Sequence, residues 1–124
     1  MIYVASKTKH FKKWLAFRDA GYAINSTWLD EALPGQSKDL SDLWVRCCME
    51  VNQAGVLVAY REKGEILKGA MIEIGVALSK PKPVLLVGDW EGMSFLQHPT
   101  VKQISTLNEA MALMIFSTRR RARF

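Results

Sequence analysis

Apolar residues fall in short continuous runs along this chain, and these runs do not alternate with polar residues. Four of them are rich in β-branched, aliphatic or aromatic residues and cover residues 2–5, 22–24, 56–60 and 84–87. Continuous runs of this length are typical of strands buried on both faces, as in parallel sheets. A further short run over residues 101–104 predicts a fifth strand.

Segments with helical spacing of apolar residues separate these runs. The first covers residues 11–18 and ends at Gly21. The second is predicted to begin near Ser37 or Lys38 and to end at Gly55. Its apolar stripe consists of Leu40, Leu43, Trp44, Cys47, Val51 and Ala54. This stripe accounts for Cys47 without assigning it any chemistry.

Two more helices are predicted in the second half of the chain. One covers about residues 69–79, because Pro81 and Pro83 prevent its continuation and return the chain to the sheet. The other follows a capping-box pattern formed by Thr106 and Glu109.

This order of elements predicts a single α/β domain over residues 1–118. Repeated strand–helix units imply right-handed crossovers, so we expect a three-layer, doubly wound domain of the flavodoxin-like or Rossmann-like type. Its sheet should be mostly parallel, with about five strands. Such sheets bind ligands beyond the carboxyl ends of their strands. The loops at residues 6–8, 61–68 and 88–92 should therefore border one crevice.

Charge does not change this interpretation. The chain has 124 residues and a net charge of +5, but four of its arginines lie in a basic tail over residues 119–124. Without the tail the domain is almost neutral. We interpret the tail as a solvated end and do not expect a nucleic-acid partner.

The sequence favours a cytoplasmic protein without a membrane partner. No apolar run approaches the roughly 18–20 residues of a membrane span, and the start lacks the charged region of a signal peptide. Cys47 and Cys48 are neighbours, so they do not indicate a disulfide framework. His10 and His98 lack metal-ligand spacing, and no glycine-rich phosphate loop is present. We expect no metal and no cofactor.

Glu73 is the leading candidate for chemistry. It lies in about the first turn of the third predicted helix, after the charged loop at residues 61–68. There the helix dipole favours the ionised carboxylate, typically by about 0.3–1 kcal/mol. Glu73 is thus either a structural acid that complements the dipole or a catalytic carboxylate, and its spacing does not decide between the two.

Four segments of the sequence, one of which contains Glu73, resemble those of a known protein family. The segments IYVAS (residues 2–6), WLD (28–30), AGVLV (54–58) and GAMIEIGVAL (69–78) occur in this order. Together they resemble the nucleoside 2-deoxyribosyltransferase-like family over about residues 1–88. The resemblance implies that Glu73 is a nucleophile, which attacks the anomeric carbon of a nucleoside and expels the base. The resulting glycosyl-enzyme ester would be resolved by water or by another base.

The same resemblance implies roles near Glu73. Tyr3 matches a tyrosine that orients the carboxylate, although a purely core aromatic would fit equally well. Ser6 matches a ligand-facing position, but it could instead be a helix N-cap. An acid that the family usually places in the second helix, where it protonates the leaving base, is replaced here by Cys47. Its role could pass to Glu50 or to Glu65.

The remaining candidates concern substrate binding. Lys68 and the helix start at Gly69 suit a phosphate, because a cation would lie beside helix amide groups. Glu65 could supply a second carboxylate near Glu73, and Arg46 could contribute to the same site. A solvated, salt-bridged loop is the alternative for both. Trp28 and Tyr60 lie near strand ends and could stack on a base, or they could simply fill the core.

Taken together, the sequence predicts cleavage or transfer of the N-glycosidic bond of a nucleoside or nucleoside 5′-monophosphate. The alternative is a module that binds a nucleotide or an ADP-ribose-like ligand without turning it over. The resemblance also implies a homodimer or a higher homo-oligomer.

Overall fold

A parallel four-stranded sheet forms the centre of the protein in a computed structural model that describes residues 1–32 and 39–122. The strands lie in the order β1-β2-β3-β4, and each pair of neighbours is parallel. Their bounds are β1 Ile2–Ala5, β2 Val56–Arg61, β3 Val84–Gly88 and β4 Val101–Ile104. The central strands are buried on both faces, as their continuous apolar runs predict. The predicted parallel α/β sheet is confirmed.

The predicted strand over residues 22–24 is wrong, and the described part of the chain forms a sheet of four strands rather than five. Within this segment Ile24 forms only an isolated parallel bridge with Ile2, on the free edge of β1. The reason lies in the local hydrogen bonds. The amide of Tyr22 donates to the carbonyl of Phe17 in the preceding helix, and the amide of Ile24 donates to the carbonyl of Tyr22. This turn leaves too little extended backbone for a strand.

Four α-helices accompany the sheet within residues 1–32 and 39–122. They are α1 Phe11–Asp19, α2 Leu40–Gln53, α3 Gly69–Ser79 and α4 Leu107–Ala122. The bounds of α3 match the prediction. The predicted start of the second helix near Ser37 or Lys38 lies outside the described residues. In the structure the Asp39 carboxylate caps α2 by accepting a hydrogen bond from the Asp42 amide at 3.0 Å.

All strands are parallel, but the direction in which the chain moves across the sheet from one strand to the next reverses between β1 and β2. From β1 the chain passes through α1 to the segment on the free edge of β1, and it then returns through α2 to β2 and through α3 to β3. Right-handed crossovers therefore place α1 on the opposite face from α2 and α3, which gives three layers. Ligand sites in such sheets lie at the carboxyl ends of the strands where the direction reverses.

The last helix packs on β3 and β4, with Ala110 and Met111 buried. Its backbone continues to Ala122, through most of the segment at residues 119–124 that the sequence separates as a tail. Within the described ranges, no helix has the length and apolar character needed to cross a membrane.

Candidate functional site

A cavity of about 440 Å³ opens at the carboxyl ends of β1 and β2. Its lining comes from the loop after β1, the end of the loop after β2, the first turns of α3, one side of α2, and a tryptophan. The lining residues are Ser6, Lys7, Thr8, Lys9, Trp28, Leu43, Trp44, Cys47, Ile66, Leu67, Lys68, Gly69, Ala70 and Glu73. Its volume falls within the range of about 300–1,000 Å³ typical of small-molecule sites.

Glu73 lies in the wall of this cavity and is only 7% exposed. It is the fifth residue of α3, on the side of the helix where Ala70, Ile74 and Ala77 are also buried. The hydroxyl of Tyr3, in β1, donates a hydrogen bond to Glu73 Oε2. The structure thus brings together the two residues that the resemblance pairs. The bond occupies Oε2, and Oε1 is the second oxygen of the same carboxylate.

Burial raises the pKa of Glu73 to about 8. This reverses the expectation that the helix dipole favours the ionised carboxylate. Glu73 lies one turn beyond the start of α3, and the influence of the dipole falls off within the first turn. Desolvation of the buried carboxylate is therefore the larger effect. The raised pKa favours the protonated form of Glu73 at neutral pH.

Ser6 and Trp28 both line the cavity, and both are held by hydrogen bonds within the protein. The Ser6 hydroxyl donates to the carbonyl of Lys7 at 2.9 Å and accepts from Nε1 of Trp14 at 2.8 Å. Its side chain caps no helix, because the residue that precedes the turn Thr8–His10 is Lys7. Nε1 of Trp28 donates to the carbonyl of Val4 at 2.8 Å, which fixes the ring against β1.

Lys68 and Gly69, proposed from the sequence for substrate binding, line the cavity where α3 begins. A side chain at position 69 would lie 3.1 Å from Cη2 of Trp44, so glycine allows this ring to approach the helix start. Lys7 and Lys9 also line the cavity. Lys7 belongs to the loop predicted at residues 6–8, and Lys9 directly follows that loop. The sequence alone assigns neither lysine a role, although the position of Lys7 directly after Ser6 is a signal that could have indicated one.

Glu65 does not line the cavity, and its carboxylate interacts with other groups. Its oxygens accept hydrogen bonds from His10 Nε2 and from the Glu62 amide, each at 2.8 Å, and Lys9 Nζ lies 3.3 Å away. Burial opposes the ionised form, but these hydrogen bonds outweigh it and lower the pKa of Glu65. The expected pair of carboxylates in the cavity is therefore not formed.

One group of side chains has the composition of a metal site. Ligand atoms of His10, Glu62 and Glu65 all lie within 4.8 Å of one another. Protein groups already contact both carboxylates, since His10 donates to Glu65 and the Tyr60 hydroxyl donates to Oε2 of Glu62, each at 2.8 Å. The cluster is therefore accounted for as a link between the loops that follow β1 and β2.

Tyr60 and Arg46 also lie outside the cavity lining. The Tyr60 ring meets His10 edge to face at 5.0 Å between centroids, and burial raises the pKa of Tyr60 to about 12. Arg46 donates to Asp42 at 2.9 Å, to Thr27 Oγ1 at 2.7 Å and to Glu31 at 2.5 Å. These contacts agree with the salt-bridged alternative for Arg46.

The resemblance leads one to expect an acid that protonates the leaving base. Among the described lining residues, no second carboxylate takes its place. Cys47 lines the cavity, but burial raises its pKa to about 11, so its thiol stays protonated at neutral pH. Glu50 accepts hydrogen bonds from the amide of Thr27 at 3.1 Å and from its hydroxyl at 2.7 Å. Within the part of the chain that the structure describes, Glu73 is the only carboxylate of the lining.

The loop after β3 does not border the cavity, contrary to the expectation for residues 88–92. Trp90 is buried, and its Nε1 donates to the carbonyl of Val87 at 2.8 Å, which turns the loop back onto the sheet. Gly88 permits this turn with a φ of +97°, and a Cβ there would lie 2.1 Å from the Arg61 carbonyl oxygen.

Comparison with known proteins does not assign the chain to a family. No protein-family model matches the chain, and no curated protein matches it.

Proposed function

We propose that this protein binds a nucleoside or nucleoside 5′-monophosphate in the cavity and cleaves or transfers its N-glycosidic bond through Glu73. The observation that carries the proposal is a buried carboxylate with one oxygen held by Tyr3, in the wall of a cavity of suitable volume. Two further observations support the proposal. The cavity lies where the order of strands across the sheet reverses, and the sequence resembles the nucleoside 2-deoxyribosyltransferase-like family.

In the proposed reaction, Oε1 of ionised Glu73 attacks the anomeric carbon. The bond between this carbon and the base nitrogen breaks, its electron pair leaves with the base, and an ester to Glu73 forms. Water or a second base then attacks the same carbon and releases the carboxylate. Tyr3 acts as a positioning residue, because its hydrogen bond fixes Oε2.

The leaving base also needs a proton. Cys47 is a weak acid at its raised pKa, and no second carboxylate is among the described lining residues. We therefore propose that solvent supplies this proton through the open side of the cavity. General acid catalysis typically contributes about 10²–10⁴ in rate, so turnover should be slow for bases that are poor leaving groups.

Release of free base is the test of the proposal. The purified protein, incubated with the common ribo- and deoxyribonucleosides and their 5′-monophosphates, should release base from at least one of them in multiple turnovers. Liquid chromatography measures the base. Mass spectrometry of quenched samples should find a glycosyl adduct on the peptide that carries Glu73. Absence of release from every substrate would contradict the enzymatic proposal.

A binding module is the second candidate, and the lack of a second carboxylate in the described lining favours it. It would hold a nucleotide or an ADP-ribose-like ligand intact. Calorimetric binding of such a ligand, recovered unchanged after long incubation, would support this candidate. Stoichiometric base release under the same conditions would exclude it.

We also propose that the protein is a cytoplasmic homodimer or higher homo-oligomer. The outer sides of α2 and α3 expose large apolar side chains, among them Leu40 (64% exposed), Val45 (66%) and Ile72 (55%). Contiguous exposed apolar patches often mark interfaces between proteins, and we propose that these side chains belong to one. Two free cysteines fit a reducing compartment.

Light scattering coupled to gel filtration tests the oligomer. The wild-type protein should have a mass at least twice that of the 14.0 kDa chain, and Val45→Asp should reduce it. Leu113→Asp is a matched control, because Leu113 is an exposed apolar residue on α4. A monomeric wild type at all concentrations, or equal effects of both variants, would contradict this interface.

A further inference from the structure

The cavity offers no carboxylic acid to a departing base within the described part of its lining. Glu73 is the only carboxylate there, and it has to be ionised to act as the nucleophile. Burial raises the pKa of the Cys47 thiol to about 11, which makes it a poor proton donor at neutral pH. Residues 33–38 and 123–124, outside the described ranges, contain no aspartate or glutamate. The site is therefore poorly suited to a base that must be protonated as it leaves.

Aromatic and apolar side chains form much of the remaining wall. Trp28 and Trp44 both line the cavity, together with Leu43, Ile66 and Leu67. Aromatic rings attract cations to their faces, and tryptophan does so most strongly. Apolar side chains exclude water and so strengthen electrostatic interactions inside the cavity. This composition favours a flat ring that carries a positive charge.

Trp44 and Glu73 are placed to hold the two halves of one substrate. A Cβ at Gly69 would lie 3.1 Å from Cη2 of Trp44, so this ring packs against the start of α3. Glu73 lies four residues beyond Gly69, about 6 Å along the helix axis and on the same side of the helix. A sugar with its anomeric carbon at Glu73 can therefore place its base against Trp44.

We propose that the preferred substrates are nucleosides whose base carries a permanent positive charge, such as 7-methylated purine nucleosides and pyridinium nucleosides. The charged base lies against Trp44, and its charge is close to the carboxylate of Glu73. A cation near a carboxylate favours the ionised form, which is the nucleophile. This inference rests on the proposed function, because it names the leaving group of the same reaction.

Such a base needs no proton to leave. Oε1 of ionised Glu73 attacks the anomeric carbon, and the bond between this carbon and the base nitrogen breaks. The electron pair of that bond cancels the positive charge, so the base departs as a neutral molecule. Water then attacks the anomeric carbon, the ester bond to Glu73 breaks, and one proton is released to solvent in each turnover. Every step therefore proceeds without an acid in the lining.

Three lysines of the lining oppose a cationic base, but their effect is weakened. Lys9 lies 3.3 Å from the carboxylate of Glu65. Lys68 is exposed and Lys7 is partly exposed, so water and salt screen their charges. Glu73 is only 7% exposed, so its attraction for a cation is screened much less.

The test compares base release from cationic and neutral nucleosides. 7-Methylguanosine is compared with guanosine, and nicotinamide riboside with cytidine. The kcat/KM for each is divided by its spontaneous rate of base release without protein, which corrects for the intrinsic lability of cationic nucleosides. We expect this corrected value to be about tenfold or more higher for the cationic member of each pair, because the neutral member lacks its acid.

Introduction of an acid should remove part of this preference. Cys47→Asp places a carboxylic acid in the lining. General acid catalysis typically contributes about 10²–10⁴ in rate, so this variant should raise release from guanosine by about tenfold or more. It should not raise release from 7-methylguanosine, whose base leaves without a proton. Circular dichroism verifies that the variant is folded.

Two variants of Trp44 test the aromatic wall independently. Trp44 is 36% exposed, so its replacement should leave the protein folded even if Cys47→Asp does not fold. Trp44→Leu removes the ring and should lower the preference for 7-methylguanosine over guanosine by about fivefold or more. Trp44→Phe is the matched control, because it keeps an aromatic face and should keep most of the preference.

The outcomes separate this inference from the proposed function. A cationic preference that falls in Trp44→Leu supports the inference. Equal corrected values for cationic and neutral nucleosides, a preference unchanged in Trp44→Leu, or equal gains for both substrates in Cys47→Asp would overturn it and leave the proposed function standing. Absence of base release from all four nucleosides would contradict the proposed function and this inference with it.

Discussion

Glu73→Gln is expected to lower base release by about three orders of magnitude or more while the protein stays folded. Glutamine has the shape of the protonated glutamate, and its carbonyl oxygen can accept the hydrogen bond from Tyr3. Its amide cannot form the ester with the sugar, and loss of a nucleophile typically removes most of the catalysed rate. Turnover of a substrate active with the wild type measures the effect, and circular dichroism verifies the fold.

Glu50→Gln provides the control. Glu50 is another buried carboxylate, but it bonds to Thr27 and does not line the cavity. Its replacement should change turnover far less than replacement of Glu73. Turnover by Glu73→Gln within about tenfold of the wild type would contradict nucleophilic catalysis by this residue.

The pH dependence of turnover provides a second measurement on the same residue. The nucleophile is the ionised form, and the pKa of Glu73 is about 8. The rate should therefore rise with pH between about 6 and 9, with its midpoint near 8. Tyr3→Phe removes the hydrogen-bond donor to the carboxylate, so it should move the midpoint to higher pH. A rate that falls with pH over this interval would contradict this account.

Glu73 should also make the folded protein less stable as the pH rises. Its pKa is about 8 in the folded protein and near the ordinary value of 4.5 in the unfolded chain. Between these values the folded state binds a proton that the unfolded state has lost, so the free energy of unfolding falls as pH rises. The difference between the two pKa values corresponds to a fall in the free energy of unfolding on the order of 5 kcal/mol, and this fall is complete above pH 8.

Urea unfolding of the wild type and Glu73→Gln, at intervals from pH 4.5 to pH 9, measures this loss. The two proteins should have similar stability at the acid end, and the variant should be more stable by several kcal/mol at pH 9. Because other groups titrate alike in both proteins, their difference isolates Glu73. A stability difference that does not change with pH would contradict the buried, protonated state of Glu73.

Glu65→Gln should show the opposite sign. The pKa of Glu65 is lowered in the folded protein, so its ionised form stabilises the fold above its unfolded pKa, and this contribution is lost as pH falls through the folded value. Its replacement should therefore destabilise the protein more at neutral pH than under acid conditions. Both carboxylates are buried, so opposite pH dependences of stability in the two variants would show that burial alone does not determine whether ionisation stabilises the fold.

The strands show what a local pattern can and cannot predict. Residues 57–59 and 84–87 are buried on both faces of the sheet, and this burial appears directly as continuous apolar sequence. Residues 22–24 have the same kind of sequence but form only a bridge, because Tyr22 and Ile24 donate to nearby carbonyls at the edge of the sheet. Apolar composition does not determine where a backbone amide finds its acceptor.

The candidate site likewise has features that the local sequence predicts and features that it does not. The loops at residues 6–8 and 61–68 were predictable, because every parallel strand ends at the same edge of the sheet. The partners of their side chains were not. Glu65 bonds to His10, 55 residues away in the chain, and so does not enter the cavity. Trp90 turns its loop away by packing into the core.

By itself, the sequence determined the parallel α/β architecture, the extent of α3 and the sheet edge at which Glu73 should lie. These features follow from short-range patterns of apolar residues, glycines and prolines. The resemblance pairs Tyr3 with Glu73 but leaves a core aromatic as the alternative for Tyr3. Only the tertiary structure decided that the hydrogen bond forms between these residues, which are 70 residues apart, and that burial raises the pKa of Glu73. It also placed Lys7 and Lys68 around one cavity. Burial and charge proximity depend on every neighbouring element, so no local pattern contains them.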